Sequence, residues 1–181
     1  MINNKIKITI DSNLINARQK DEVLNELENM FKRGIIEIVG SQRLFDEMNT
    51  ENRLKKAQNY QNISEPFVLC KSRIGYAYIS CNEKQPSFEE LSDILFPSKK
   101  ITELAPSEEN DIMHLIAHAH SDSDYFVTRN TKDFIDAKRT NINKTSEDLK
   151  NQKREKLLKL GIKVKTPEEI LKIILNQINH K

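Results

Sequence analysis

Four acidic residues lie at positions where an α/β fold places chemistry. Asp11 closes the stretch Lys5-Ile-Lys-Ile-Thr-Ile-Asp11-Ser-Asn13, in which Ile6, Ile8 and Ile10 alternate with polar residues. That alternation predicts a β-strand ending at an acid, followed by turn-forming Ser12 and Asn13. A second apolar run, Tyr125-Phe-Val-Thr128, ends the same way in Arg129, Asn130 and Asp133. Glu47 sits between Phe45 and Met48, and Asp111 falls in the first turn or two of a predicted helix. Ligands of open α/β sheets bind outside the carboxyl ends of the strands. Carboxylates gathered there repel one another unless a cation neutralises them. Oxygen-only ligands suit hard cations such as Mg²⁺ or Mn²⁺, which activate water against a phosphodiester. Singly, each acid also has a plain role. Asp11 and Asp133 can cap turns, Asp111 suits a helix N-terminus, and Glu47 can be solvated.

The elements that must position these residues follow in order. Asp21 to Arg33 carries Val23, Leu24, Leu27, Met30 and Phe31 on one helical face, and Gly34 ends it. Ile35 to Val39 predicts a strand, broken by Gly40-Ser41, with Ser41 capping a helix that carries Leu44, Phe45 and Met48. This alternation predicts a parallel sheet with crossover helices. Thr50 to Ile63 is expected to be helical. Phe67–Cys70 and Tyr76–Ile79 read as hairpin strands, helix or an irregular insertion. Ser87 and Glu90 have the spacing of a capping box opening a helix to Leu95, with Pro97 as its stop. Ser107 is expected to cap a helix from Glu108 to His120. Ser146 to Leu160 predicts a charged helix ended by Gly161, and Ile162 to Val164 a short strand. Thr166-Pro-Glu-Glu169 predicts a capped final helix.

These stretches resemble the PIN-domain family of nucleases. The resemblance rests on Ile-Thr-Ile-Asp11-Ser-Asn13, Gln42-Arg-Leu-Phe-Asp-Glu47, Asp111-Ile-Met-His-Leu-Ile-Ala-His-Ala119 and Tyr125-Phe-Val-Thr128-Arg-Asn130-Thr-Lys-Asp133-Phe134. The tail from Leu160 to Pro167 also resembles the family's closing strand and helix. The resemblance implies a three-layer α/β/α sandwich with a mainly parallel central sheet. It implies one domain over residues 1–181, with an insertion around 60–100. It further implies a Mg²⁺- or Mn²⁺-dependent endoribonuclease. Asp11, Glu47, Asp111 and Asp133 would form the catalytic set, with the metal on Asp11, Asp111 and Asp133. Asn13, Thr128 and Asn130 would support them, and Arg129, Lys132, Lys138 and Arg139 would contact RNA. Some family members carry Asp where this chain has Asn130, so Asp133 is taken to supply the carboxylate. The chain is longer than the toxin-type members of toxin–antitoxin pairs. An antitoxin protein and a second copy of the chain are candidate partners beside RNA.

Rival readings are weaker. Asp111, His114 and His118 share a helical face, but the segment lacks the Glu of His-Glu-x-x-His, and packing histidines are expected instead of a zinc site. Haloacid-dehalogenase-like phosphatases also place an acid after a first strand and a Thr after a later one. They need a second Asp two residues on, where this chain has Asn13. A non-catalytic RNA-binding or scaffold protein on the same fold is the remaining alternative.

Composition sets the wider bounds. At 181 residues, with 31% charged and 37% hydrophobic and only four Gly, the chain has the makeup of a globular protein with a substantial core. No apolar run of about 18 residues and no signal-peptide pattern occur, so no membrane partner is expected. Cys70 and Cys81 do not make a disulfide framework, and a cytoplasmic location is expected. The net charge of +2 conceals an asymmetry. Glu83 to Asp124 holds ten acids and three bases, whereas Lys138 to Lys165 holds ten bases and three acids. Without interleaved aromatic residues, the basic stretch suits phosphate contact rather than base stacking. Two solvated helical faces would look the same.

Overall fold

The structure, a computed structural model, describes residues 5–15, 20–48, 51, 55, 57, 60–63, 65–66, 77–78, 86–135 and 152–179. Its centre is β1 (Ile6–Ile10), followed by a 3₁₀ turn at Ser12–Leu14, α1 (Glu22–Lys32), β2 (Ile36–Ser41) and α2 (Gln42–Asp46). β3 (Gln61–Ile63), β4 (Glu65–Pro66) and β5 (Ala77–Tyr78) follow. Then come α3 (Phe88–Leu95), α4 (Pro106–Ala119), β6 (Tyr125–Val127), α5 (Thr131–Phe134), α6 (Gln152–Lys159), β7 (Val164–Lys165) and α7 (Pro167–Asn179).

Five strands form one parallel sheet in the order β3-β2-β1-β6-β7. From β1 the chain builds outward to β2 and β3, then returns to lay β6 and β7 on the other side. The crevice between the carboxyl ends of β1 and β6 is therefore the topological switch point, where α/β sheets bind ligands.

The two-residue period of a strand explains the layers. Ile6, Ile8 and Ile10 point to one face, where they pack with Leu24, Leu27 and Met30 of α1 and Ile170 and Ile174 of α7. On the opposite face Phe126 packs with residues of α3, α4 and α6, among them Leu91, Leu115 and Leu157. Each such fully buried side chain contributes about 2–3 kcal/mol. The result is a three-layer α/β fold. Among the described residues, no helix is long and apolar enough to cross a membrane.

Several sequence expectations meet the structure directly. Asp21 caps α1 by accepting the Leu24 N–H, and Gly34 turns the chain with φ +70°. Ser87 and Glu90 form their capping box, as do Thr166 and Glu169. Other boundaries differ. β2 runs through Gly40 and Ser41, because both pair with β3. A Cβ on Gly40 would stand 3.2 Å from the side chains of Leu44 and Phe45, so the bare backbone lets α2 fold against its own strand. Gln61–Ile63 is strand, not helix, for the same pairing reason. Ala77–Tyr78 pairs parallel with Glu65–Pro66, not as an antiparallel hairpin. Phe67–Cys70 lies outside the described residues, as do 146–151 of the expected charged helix. α4 starts at Pro106, with Ala105 as its cap residue, because proline is pre-organised for the first helical position and Glu108 accepts the Ala105 N–H. The final strand is Val164–Lys165, bonded to β6.

Candidate active site

Asp11 leaves β1 on the face opposite Ile6, Ile8 and Ile10, and so faces α4. Its backbone N–H donates to the Val127 carbonyl at 3.0 Å, which extends the ladder and fixes its Cα. The residue is 3% exposed. Although it precedes the 3₁₀ turn, its side chain caps nothing. Instead Oδ2 accepts the Thr128 hydroxyl at 2.6 Å and the Asn13 amide at 2.7 Å. Ser12 Oγ stands 3.5 Å from Oδ1, at the limit of a hydrogen bond. A buried carboxylate held in this way, at a strand end, is oriented rather than merely accommodated.

Thr128 and Asn130 work as a pair. Thr128 is fully buried and accepts the Asn130 N–H at 2.9 Å. Asn130 caps α5, accepting the Asp133 N–H at 3.3 Å and donating Nδ2 to Asp133 Oδ2 at 3.0 Å. An aspartate at 130 could not make the second bond and would repel Asp133. The amide therefore suits a chain whose carboxylate comes from Asp133. Lys153 supports this corner from behind. It is 5% exposed, and its Nζ donates to the carbonyls of Asp133 at 2.9 Å and Leu95 at 2.7 Å.

The third side is α4, where a stripe of Asp111, His114 and His118 lies against β1 and β2. His118 Nδ1 is 2.9 Å from Thr9 Oγ1, and burial lowers its pKa to about 4, which keeps the ring neutral. His114 Nδ1 is 2.7 Å from Ser41 Oγ. The two rings thus turn to different partners. One helical turn earlier stands Asp111. Burial first, then the charge of Asp11, and then those of Asp133 and Glu47 push its carboxyl up to about 7, against the opposing effect of His114. Asp111 thus feels the charge of all three other acids.

Glu47 follows α2 and is held across to α4. Asn110 Nδ2 donates to its Oε1 at 2.8 Å, and His114 Nε2 lies 3.5 Å from the same oxygen. Burial acts to raise the Glu47 pKa. The nearby His114 first, then Ser12 and Asn110, outweigh it and hold the carboxyl below its ordinary value. His114 Nε2 makes no hydrogen bond of good geometry, so its hold on Glu47 is chiefly electrostatic. Burial acts to lower the His114 pKa, and the neighbouring acids Glu47, Asp11 and Asp111 more than reverse this.

Among the described residues, no three His, Cys, Asp or Glu side chains stand close enough to form a ready metal cage. The donor set is nonetheless all oxygen and crowded with negative charge around Asp111. In kind it matches a hard divalent cation. The expected metal set of Asp11, Asp111 and Asp133 is, however, not drawn together into a cage in this structure.

The expected phosphate-contacting residues fall in different settings. Arg129 is held by two acids, Asp21 at 2.6 Å and Glu168 at 2.8 Å, and so ties the β6–α5 loop to the starts of α1 and α7. Arg129→Ala is expected to cost about 1 kcal/mol of stability, less in high salt, because both pairs are partly exposed. Urea unfolding at low and high ionic strength measures this. Lys132 is exposed beside Asp133. Lys138 and Arg139 lie outside the described residues. The basic stretch is not wholly a solvated face, since Lys153 is buried and Arg154 makes a two-pronged pair with Glu169.

Ser41, Arg43 and Asn110 did not stand out in the sequence as site residues. Ser41 pairs with His114 across 73 positions and Arg43 with Asn110 across 67, and no local spacing encodes such contacts. No family model matches the chain, and no curated protein or solved structure matches it either.

Proposed function

We propose that the chain is a divalent-metal-dependent endoribonuclease on a PIN-like fold. The observation that supports this most is the placement of Asp11. It is a buried carboxylate at the switch point of a parallel sheet, fixed by Thr128 and Asn13, and its charge is felt by Asp111 of α4. Asp11, Asp111 and Asp133 would hold Mg²⁺ or Mn²⁺. When bound, such an ion lowers the pKa of water and stabilises charge on a phosphodiester. Glu47 is kept ionised and orients the attacking water by accepting its hydrogen bond. Thr128 and Asn13 keep Asp11 in place, and Asn130 does the same for Asp133. Lys132, exposed beside Asp133, supplies positive charge where the RNA backbone would approach.

The test is cleavage of mixed-sequence single-stranded and structured RNA. The expected result is cleavage with Mn²⁺ or Mg²⁺ that stops on chelation and returns when the ion is restored. Undiminished cleavage in chelator would overturn the metal mechanism. RNA binding without cleavage under either ion would make the chain a binding protein. Hydrolysis of a phosphate monoester but not RNA would make it a phosphatase.

A further inference from the structure

Ser41, Arg43 and His114 are 1%, 7% and 2% exposed, and with Asn110 they converge on a single partly exposed carboxylate. Polar groups in a core cost stability relative to well-packed apolar residues of similar shape. Three such buried groups and the part-buried Asn110, linked in two arms to one acid, call for a reason beyond packing.

Two arms meet on Oε1 of Glu47. In the first, Arg43 Nη1 donates to Asn110 Oδ1 at 2.7 Å, and Asn110 Nδ2 donates to Oε1 at 2.8 Å. The arginine thereby fixes which end of the amide faces the carboxylate. In the second, Ser41 Oγ lies 2.7 Å from His114 Nδ1, and His114 Nε2 lies 3.5 Å from Oε1. The ring proton can be placed from these contacts. Ser41 Oγ accepts the Leu44 N–H at 3.2 Å, which leaves its own hydrogen to point at Nδ1. The other tautomer would set the Nε2 lone pair against a carboxylate. Nε2 therefore carries a proton whether the ring is neutral or charged. A serine–histidine–acid series suggests a nucleophile, but this serine is buried and caps α2.

The geometry points to His114 and Asn110 as positioning residues that hold the Glu47 carboxylate in one orientation, with Ser41 and Arg43 fixing those two in turn. The depressed pKa of Glu47 is consistent with this clamp. The inference rests on the nuclease reading only for its kinetic test.

The first measurement needs no activity. Long-range ¹H–¹⁵N spectra of histidine-labelled protein report which ring nitrogen is protonated. The expected result is a proton on Nε2 of His114 whose resonance moves in Glu47→Gln. A neutral ring protonated only on Nδ1 would overturn the inference. The second measurement compares two variants with Mn²⁺ and mixed-sequence RNA. His114→Gln keeps an amide N–H near the place of Nε2, and His114→Asn places its amide near Nδ1. The clamp predicts kcat within about threefold of wild type for the first. For the second it predicts a fall of about tenfold at unchanged KM. Equal kcat in the two variants would overturn it. If the wild-type chain cleaves no RNA, the nuclease reading fails, and the ring spectrum still decides the clamp.

Discussion

Asp11→Asn is expected to reduce RNA cleavage by on the order of 10²–10³-fold or more, the scale of losing one preorganised charged group. The fold should survive, because the amide has the shape of the carboxylate. Its oxygen can still accept the Thr128 hydroxyl now 2.6 Å away. The change removes a negative charge from a residue only 3% exposed, which by itself relieves desolvation. Activity and stability are thus expected to part company. Cleavage is lost while circular dichroism is unchanged and the melting temperature is equal or higher. Cleavage near the wild-type rate would remove Asp11 from the chemistry and return it to a structural role.

The second large effect concerns Asp111 and needs no substrate. Its carboxyl titrates near 7 in the fold against an ordinary 3.8, chiefly from burial and then from the charge of Asp11. Between about pH 4 and 7 the native chain therefore binds more protons at this group than the unfolded chain does. Stability from this group is present below the unfolded pKa and is lost as pH rises through the folded one. At about 1.4 kcal/mol per unit the ceiling is on the order of 4 kcal/mol. Partial exposure and solvent screening reduce this to about 2 kcal/mol. Asp111→Asn should accordingly match wild type near pH 4 and exceed it by about 2 kcal/mol at pH 8, or about 4–8 °C in melting temperature. Mn²⁺ should stabilise wild type at pH 8 and have much less effect on the variant, since a bound cation relieves the same repulsion. A wild-type-minus-variant difference that does not change with pH would show that the carboxyls do not crowd one another.

What was legible in the sequence was legible because it is local. The alternation of Ile6, Ile8 and Ile10 marks β1 and places Asp11 at its end. Ser87 with Glu90 and Thr166 with Glu169 mark helix starts within four residues. The order of strands and helices predicts the parallel sheet, whereas the place of β6 beside β1, which brings Thr128 to Asp11, is shown by the strand pairing. What was not legible depends on partners far along the chain. Gly40 and Ser41 read as a break, yet they are strand because β3 pairs with them. Gln61–Ile63 has polar residues typical of a helix surface and becomes an edge strand for the same reason. His114 reads as a packing histidine. Its purpose becomes visible only when Ser41 and Glu47 arrive from the β2–α2 segment on either side of the ring. Asn130 looks like a missing acid until its amide is seen donating to Asp133.

The bond that holds Asp11 joins it to a hydroxyl 117 residues later. β6, which carries Thr128, enters the sheet beside β1 only after β2 and the segments that follow it have been made. During synthesis Asp11 thus emerges first and waits for Asp111, Thr128 and Asp133 to follow. The bond between Asp11 and Thr128 cannot form on a nascent fragment that ends before β6. In the proposed nuclease, that order of synthesis keeps Asp11 unsupported while the chain is still attached to the RNA machine that builds it.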